Sequence, residues 1–136
     1  VLSNMKIIKN GTYVSTPNKL RKAIEHFSVE DKLQAQDFDP YNWIEGEVTA
    51  IVTTGTCSQQ YNVNNKLCVE EDVELYVYRD GSWSWKTAKN TLVGDHLLTD
   101  HSMLERISLL NHLDTVLEGC MLTSDSNFYA GGYLVK

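Results

Sequence analysis

Two turn dipeptides, Asn10-Gly11 and Asp80-Gly81, each separate two stretches in which apolar and polar residues alternate. Such dipeptides accept the left-handed backbone of a two-residue hairpin turn, and the alternation is typical of strands with one buried face. We therefore predict β-hairpins at residues 5–15 and 73–85. Two such signals in a short chain favour an all-β fold.

The remaining segments are mixed in character. Alternating β-branched and aromatic residues predict strands at 47–54 and 60–63. Apolar residues at helical spacing predict short helices at 18–27 and at 102–113, where a strand is the alternative. Residues 37–42 include Pro40 as a breaker and are predicted to form a loop.

A short pattern occurs twice in the chain. Val29–Leu33 and Val93–Leu97 share the form Val-x-Asp-x-Leu, 64 residues apart, and each follows one of the turn dipeptides at a similar distance. In each we expect a buried apolar residue, an acidic residue that caps a turn, and the start of a strand. The repeated order predicts a domain with two related halves.

Composition disfavours several classes of function. The 136 residues, 42% hydrophobic with only two prolines, suffice for one folded domain over residues 1–136. The net charge of -6 argues against nucleic acid, which requires clustered lysine and arginine. No apolar run approaches the roughly 20 residues of a membrane span, and Val1-Leu2-Ser3 does not begin a signal peptide. We expect no nucleic-acid partner, no membrane contact and no secretion by a signal of its own.

A chain that begins with Val1 is expected to be processed or part of a longer polypeptide.

The three cysteines, Cys57, Cys68 and Cys120, form no Cys-x-x-Cys pair. Their odd number and wide spacing disfavour a zinc site or a disulfide framework and suit a reducing compartment. Cys68 and Cys120 lie within apolar strand patterns, where a thiol is usually buried and inert. We expect neither to be a strong nucleophile.

The histidines are weak candidates for a metal site. His96 and His101 are five residues apart, but a strand and turn do not bring two imidazoles together as a helical i, i+4 pair does. We expect both to face solvent, and His26 and His112 to be surface or half-buried residues. No metal and no cofactor are predicted.

Two further clusters could bind a partner. Glu70, Asp72 and Glu74 are predicted to share one face of a strand, where like charges can raise a pKa or bind a cation. We favour an exposed acidic edge that discourages pairing between strands. Trp83 and Trp85 share a face after a turn and are predicted to pack across strands, although exposed rings would support a binding surface.

The closing stretch, TSDSNFYAGGYLVK, and the repeated pattern resemble the Hint superfamily: inteins, hedgehog autoprocessing domains and their bacterial and phage-borne relatives. Residues 1–8 have the spacing of the family's opening strand, and 24–33 are similar to its IE…VGDxV segment. Residues 69–81, VEEDVELYVYRDG, resemble V-T-x-x-H followed by an apolar strand and Asp-Gly. Residues 92–98 and 126–136 are similar to the next segment and the closing strand. The resemblance implies an all-β horseshoe with pseudo-twofold symmetry, to which the local patterns add one or two short helices.

The resemblance also implies a set of catalytic positions. In the family, a first-position Cys or Ser attacks the preceding carbonyl, the Thr and His of T-x-x-H hold the scissile amide, and a penultimate His activates a terminal Asn. A further His of the closing motif assists. In this chain the five positions fall on Val1, Glu70, Val73, Ser126 and Lys136. Valine has no nucleophile, and a protonated lysine cannot accept a proton. Every position that the resemblance assigns to chemistry has changed.

Three functions fit this pattern. We expect a catalytically degenerate Hint-like domain that acts as a structural or interaction module within or beside a larger protein, which the resemblance suggests to be a phage virion protein. Its partners would be the parent polypeptide or assembly neighbours, its location cytoplasmic or virion-associated, and its oligomeric state is open. One alternative is an atypical autoprocessing domain that splices or cleaves one junction, with Ser3 as a shifted nucleophile. A second is a surface binding module that uses Trp83, Trp85 and the acidic strand face.

Overall fold

A computed structural model of the chain describes residues 6–39 and 41–136, so the predicted residues Val1, Ser3 and Pro40 lie outside the described residues. The described residues form strands and three single-turn 3-10 helices, at Pro17–Lys19, Ile24–His26 and Ala88–Asn90. The strands are β1 (Ile8–Lys9), β2 (Tyr13–Thr16), β3 (Leu20–Ala23), β4 (Lys32–Phe38), β5 (Tyr41–Cys57), β6 (Gln60–Val63), β7 (Leu67–Glu70), β8 (Glu74–Arg79), β9 (Ser82–Thr87), β10 (His96–Leu98), β11 (Leu104–Arg106), β12 (Leu110–Leu113), β13 (Leu117–Ser124), β14 (Phe128–Ala130) and β15 (Tyr133–Val135).

The strands form two antiparallel sheets. The first sheet has the order β12-β6-β7-β1-β13-β5-β4, and the second has the order β11-β10-β8-β15-β14-β2-β3, with β9 paired to β8. The fold is all-β, as predicted. The first and last strands of the described residues, β1 and β15, both lie in the middle of a sheet, so the two ends of the described chain emerge from sheet interiors.

The Asp80-Gly81 turn forms the predicted hairpin. Strands β8 and β9 pair along their full length, from Glu74 opposite Thr87 to Arg79 opposite Ser82. Asp80 and Gly81 have φ values of 52° and 81°, the left-handed pair that a type I′ turn requires.

The hairpin predicted around Asn10-Gly11 is wrong. The chain does turn there, since the Thr12 N–H donates to the Lys9 carbonyl at 3.2 Å. However, β1 pairs with β13 and β7 in the first sheet, whereas β2 pairs with β3 and β14 in the second. The turn moves the chain from one sheet to the other because β1 pairs with strands far away in sequence, whereas β2 pairs with the next strand, β3, and with the distant β14.

Residues 37–42 are predicted to be a loop, but the described residues on both sides of position 40 belong to the end of a long hairpin. Strands β4 and β5 remain paired up to Phe38 opposite Tyr41. Strand β5 then passes beneath the turn between β13 and β14. A Cβ at Gly46 would lie 2.2 Å from Ser126 Oγ, so a larger residue at this crossing would force the Ser126 side chain to move.

Neither predicted α-helix forms among the described residues. Asn18 and Lys19 both have positive φ, 67° and 61°, which ends the 3-10 turn, and Leu20–Ala23 then pairs with β2. The segment 102–113 contains β11, paired with β10, and β12, paired with β6. Pairing with neighbouring strands makes these segments extended, although their apolar residues have helical spacing.

The two Val-x-Asp-x-Leu segments make the same local hydrogen bonds. In each, the aspartate N–H donates to the carbonyl three residues earlier at 3.1 Å, and its carboxylate accepts that residue's N–H at 2.8 Å. The residue before each aspartate has a positive φ, and each leucine is fully buried, whereas the valine that precedes each aspartate is more than half exposed. Asp31 also accepts from Lys22 Nζ at 2.8 Å, and Asp95 from Arg79 Nε at 2.7 Å. The predicted acidic caps are therefore present.

One large apolar core lies between the sheets and draws side chains from both. It includes Val14, Leu33, Val69, Leu75 and Leu97, each no more than 1% exposed. A smaller cluster of Leu98, Tyr129 and Leu134 packs against partly buried aromatic rings. These two cores fix β1, β7, β8 and β15 relative to one another.

Candidate functional site

The two ends of the described chain meet across one turn, residues 70–74. The Glu70 N–H donates to the Ile7 carbonyl at 2.8 Å, just before β1. The Glu74 N–H donates to the Lys136 carbonyl at 3.0 Å, and the Lys136 N–H returns a bond of 2.9 Å. We call this meeting place, residues 6–7, 70–74 and 136, the seam.

A cleft of about 610 Å³ opens beside the seam. It contains two lysines, one at each end of the described chain, and an aromatic wall. Its lining consists of Lys6, Phe38, Trp85, residues 121–128 and Lys136. Two of the predicted site residues, Ser126 and Lys136, therefore lie in the same cleft. Glu70 and Val73 lie beside it rather than in its wall.

Lys136 is held against an aromatic ring. Its Nζ lies 4.6 Å from the centroid of the Trp85 ring, which in turn packs on Tyr76 at 4.9 Å. A cation in this position is attracted to the ring face. Lys6 Nζ lies 3.9 Å from a Glu74 carboxylate oxygen, in a half-exposed ion pair of small energetic worth. Each lysine therefore has a partner of its own, the Trp85 ring for Lys136 and the Glu74 carboxylate for Lys6.

Ser126 makes only local bonds. Its Oγ donates to the Asn127 carbonyl at 2.9 Å, and its N–H donates to Ser124 Oγ at 3.3 Å. The neighbouring Asp125 accepts the Glu47 N–H at 2.8 Å through Oδ1, which fastens the turn to β5. These contacts shape the turn. Among the described residues, the Ser126 hydroxyl donates to a backbone carbonyl rather than to a basic side chain.

Glu70 is the seam residue with proton-transfer capacity near neutral pH. It is 6% exposed, and its carboxylate accepts the Asp72 N–H at 3.2 Å. Burial is the main cause that raises the pKa of Glu70 to about 7, with smaller contributions from the charges of Asp72 and Glu71. Val73, by contrast, is 1% exposed and packs in the core as an apolar residue. The position that the sequence resemblance matches to the histidine of T-x-x-H is thus part of the core here.

The predicted acidic strand face does not form. Glu70 ends β7 and Glu74 begins β8, so the two residues belong to different sheets. Ligand atoms of Glu70, Glu71 and Asp72 do lie within 4.8 Å of one another at the turn between the strands. Asp72 is already paired with Lys89 Nζ at 3.1 Å. The turn therefore carries a compact, partly neutralised acidic group rather than an exposed edge.

The histidines of the described residues lie away from the cleft lining. His96 is a half-buried residue of β10, opposite Tyr78 and Arg106. His101 lies in the following turn, with Nε2 3.6 Å from Asp100. His112 stacks on Tyr61 with ring centroids 4.6 Å apart. His96 and His101 were both predicted to face solvent. The prediction is confirmed for His101, which is exposed, and is wrong for His96, which is half-buried.

The thiols are poorly suited to nucleophilic attack. Burial raises the pKa of Cys57, Cys68 and Cys120, and Glu70 raises that of Cys57 further. Cys120 is fully buried in β13, and its Sγ donates to Asn10 Oδ1 at 3.2 Å. A raised pKa lowers the fraction of reactive thiolate at neutral pH.

The tryptophans of β9 pack across strands, as predicted. Trp83 stacks on Tyr76 with centroids 4.8 Å apart and 10° between the ring planes. Both indoles are half-buried. Sequence reasoning missed that Trp85 faces Lys136 and that Lys6, Phe38 and Asp125 share its cleft, because no local pattern in the sequence brings these segments together.

Comparison with known proteins addresses the fold. No family model matches the chain, and no curated protein matches it. Solved structures do match: a bacterial intein-like domain from Clostridium thermocellum has a TM-score of 0.79 at 18% identity, over 97% of this chain and 98% of that one. The chain has the intein fold.

Two other structures agree. A DnaB intein from Synechocystis sp. PCC 6803 has a TM-score of 0.73 at 18% identity over 96% of each chain. The TvoVMA intein has a TM-score of 0.79 at 12% identity, over 96% of this chain and 97% of that one. The Hint resemblance in the sequence is thereby confirmed at the level of the fold. Across the described residues of this intein fold, no helix is long and apolar enough to cross a membrane.

Proposed function

We propose that this intein-fold domain no longer cleaves peptide bonds and acts as a structural or interaction module within or beside a larger protein. The observation that carries the proposal is the composition of the seam cleft. Its described lining offers two lysines, an aspartate and local hydroxyls, and contains neither an imidazole nor a thiol. The cleft lies where the two ends of the described chain meet, but its described lining lacks the imidazole and thiol groups that would activate an amide.

Self-processing requires a nucleophile and a proton acceptor beside the same junction. Lys136 is held over Trp85 as a cation, and Ser126 bonds to its own turn. Val73 is packed in the core. These three replacements have structural roles in this chain, which supports loss of the chemistry with retention of the scaffold.

The placement of the ends supports a role as an insert. Residues 7 and 136 are both hydrogen-bonded to the turn at 70–74, so flanking chain would leave the domain from one side. Domains with neighbouring ends can sit within another protein with little disruption. We propose the parent polypeptide or assembly neighbours as the partners, with a phage virion protein as the host suggested by the sequence resemblance. The repeated hydrogen bonds around Asp31 and Asp95 support two related halves.

The test is the mass of the protein over time. The chain is expressed with its native flanking segments on both sides, and a splicing-competent intein in the same flanks serves as the positive control. We expect one intact mass throughout. Time-dependent loss at either junction, abolished by Ser3→Ala, would contradict the proposal.

A second candidate function is single-junction self-cleavage that uses Glu70. It is favoured by the buried carboxyl group, whose pKa of about 7 suits an acid or base, beside the strand that leads to the first junction. This candidate predicts slow cleavage that is lost in Glu70→Gln and retained in Glu71→Gln. An intact mass for the wild type, Glu70→Gln and Glu71→Gln would exclude this candidate.

A further inference from the structure

Asn10 is the one asparagine of the sequence that precedes a glycine, and the pair lies in the turn between β1 and β2. Gly11 has a φ of 83°, a conformation that side chains disfavour, and the space where its Cβ would lie is open. Asn10 is exposed and lines a cleft of about 420 Å³, separate from the seam cleft. Its side-chain amide is therefore accessible to water and to the backbone nitrogen that follows it.

A carboxylate contacts that backbone nitrogen. The Gly11 N–H donates to Glu25 Oε1 at 2.8 Å. This hydrogen bond is the largest cause that lowers the pKa of Glu25, so the acceptor is ionised near neutral pH. The preceding residue, Ile24, is fully buried, and its N–H donates to the Thr12 carbonyl at 2.8 Å. These contacts fix a base on the nitrogen that is closest in the chain to the Asn10 side chain.

A hydrogen-bond donor contacts the Asn10 side-chain carbonyl. Asn10 Oδ1 accepts from Cys120 Sγ at 3.2 Å. Burial raises the pKa of Cys120, and the Glu25 charge raises it further, so this residue remains a thiol and keeps its proton. A donor at a carbonyl oxygen stabilises the negative charge that develops there when a nucleophile attacks the carbon. The Asn10 N–H also donates to the Glu118 carbonyl at 3.2 Å, which holds the backbone of the turn in place.

We propose that the fold promotes deamidation of Asn10 through a succinimide, with Glu25 as the base and the Cys120 thiol as the donor to the carbonyl oxygen. The Gly11 nitrogen forms a bond to Asn10 Cγ while its proton passes to Glu25. The Cγ–Nδ2 bond then breaks, and the side-chain nitrogen takes up that proton and leaves as ammonia. Water opens the ring at either carbonyl and leaves aspartate or isoaspartate at position 10.

This reaction goes beyond the proposed function and does not involve the seam. The chain stays continuous in both products and gains one dalton, so deamidation is distinguishable from cleavage at a junction. Both products carry a new negative charge beside Glu25. Isoaspartate also lengthens the main chain by one carbon atom, at the turn where the chain passes between the two sheets.

The test is the uptake of 18O from labelled water at position 10, at pH 7, by the folded chain and by the same chain in urea. Samples are digested with pepsin at low pH in ordinary water and mapped by mass. We expect uptake about tenfold faster in the folded chain. This factor is below the roughly 10²–10⁴ of a well-placed base, because Glu25 is partly exposed and its lowered pKa makes it a weak base. Asn10→Gln, which would need a larger ring, should take up no label there.

Two variants separate the base from the turn. Glu25→Gln can still accept the Gly11 N–H but cannot take its proton, so uptake should slow about tenfold. Glu118→Gln is the matched control, since Glu118 is an exposed carboxylate that lines the same cleft, and it should behave like the wild type. Cys120→Ala removes a weak donor and should slow uptake by a smaller factor.

The comparison of folded and unfolded chain requires no substitution, so it stands even where a variant folds poorly. Uptake in the folded chain that is equal to or slower than uptake in urea would overturn the proposal. Equal rates in Glu25→Gln and Glu118→Gln would also overturn it. An unchanged rate in Cys120→Ala would overturn the role of the thiol.

Discussion

The buried carboxyl group of Glu70 gives the stability of the fold a specific pH dependence. The pKa of Glu70 rises from an ordinary value of 4.5 to about 7 in the folded chain, mainly because burial disfavours the charged form. The folded state therefore holds a proton that the unfolded state releases between these values. Stability from this group is fully present below pH 4.5 and is lost as the pH rises towards 7.

The size of the loss follows from the shift. A pKa unit corresponds to about 1.4 kcal/mol, so the unfolding free energy should fall by about 3 kcal/mol across this window. Glu70→Gln keeps the shape and cannot ionise, so it should lack this loss. At pH 8 the variant should gain about 3 kcal/mol on the wild type relative to their difference at pH 4.5.

The assay is urea unfolding at half-unit steps from pH 4.5 to pH 8, with the wild type, Glu70→Gln and Glu71→Gln compared at each step. Glu71 is the half-buried neighbour and the matched control. Carboxylates with lowered pKa values, such as Asp95, lose their contribution as the pH falls and are common to all three proteins. Parallel curves for the wild type and Glu70→Gln would refute the reasoning, because they would mean that Glu70 is ionised or solvated in the folded chain.

Three other perturbations follow from the contacts. Asp95→Asn breaks an ion pair whose carboxylate is buried and whose guanidinium is 27% exposed, and it should cost about 2 kcal/mol, whereas Asp31→Asn, at the equivalent but more exposed position, should cost about 1 kcal/mol, both measured by urea unfolding. Gly46→Ala places a Cβ against the Ser126 hydroxyl, which must rotate and lose its hydrogen bond to the Asn127 carbonyl, and should cost about 1 kcal/mol; unchanged unfolding in urea would contradict this contact. Native Cys120 should react with a thiol reagent at least about tenfold more slowly than in urea, because its thiol is buried and its pKa is raised, and equal rates would contradict its burial.

Local sequence chemistry was sufficient for part of the fold. The Asp80-Gly81 hairpin and the two acidic caps were predictable because their turn geometry depends on neighbouring residues. The segment at 18–27 was not, since its strand is stabilised by pairing with β2 rather than by its own propensity. The hairpin predicted at Asn10-Gly11 was also decided by distant pairing, because its two flanking strands have partners in different sheets.

The candidate site was predictable only in outline. The sequence resemblance brought Ser126 and Lys136 to one place, and the structure puts both in the seam cleft. It could not show that Glu70 would be buried, because the burial arises from β1 and β6 packing beside β7. Nor could it show that Lys136 rests on Trp85, a contact between segments about 50 residues apart.

The central claim is that the cleft beside the seam contains, among its described lining residues, no nucleophile paired with a base that could cleave a peptide bond. Its most direct test is intact-mass analysis of the chain within its native flanks after incubation with hydroxylamine, which cleaves any ester or thioester formed at a junction. The account predicts a single mass equal to that of the full polypeptide. A hydroxylamine-dependent fragment that begins at residue 1 or ends at residue 136 would contradict it.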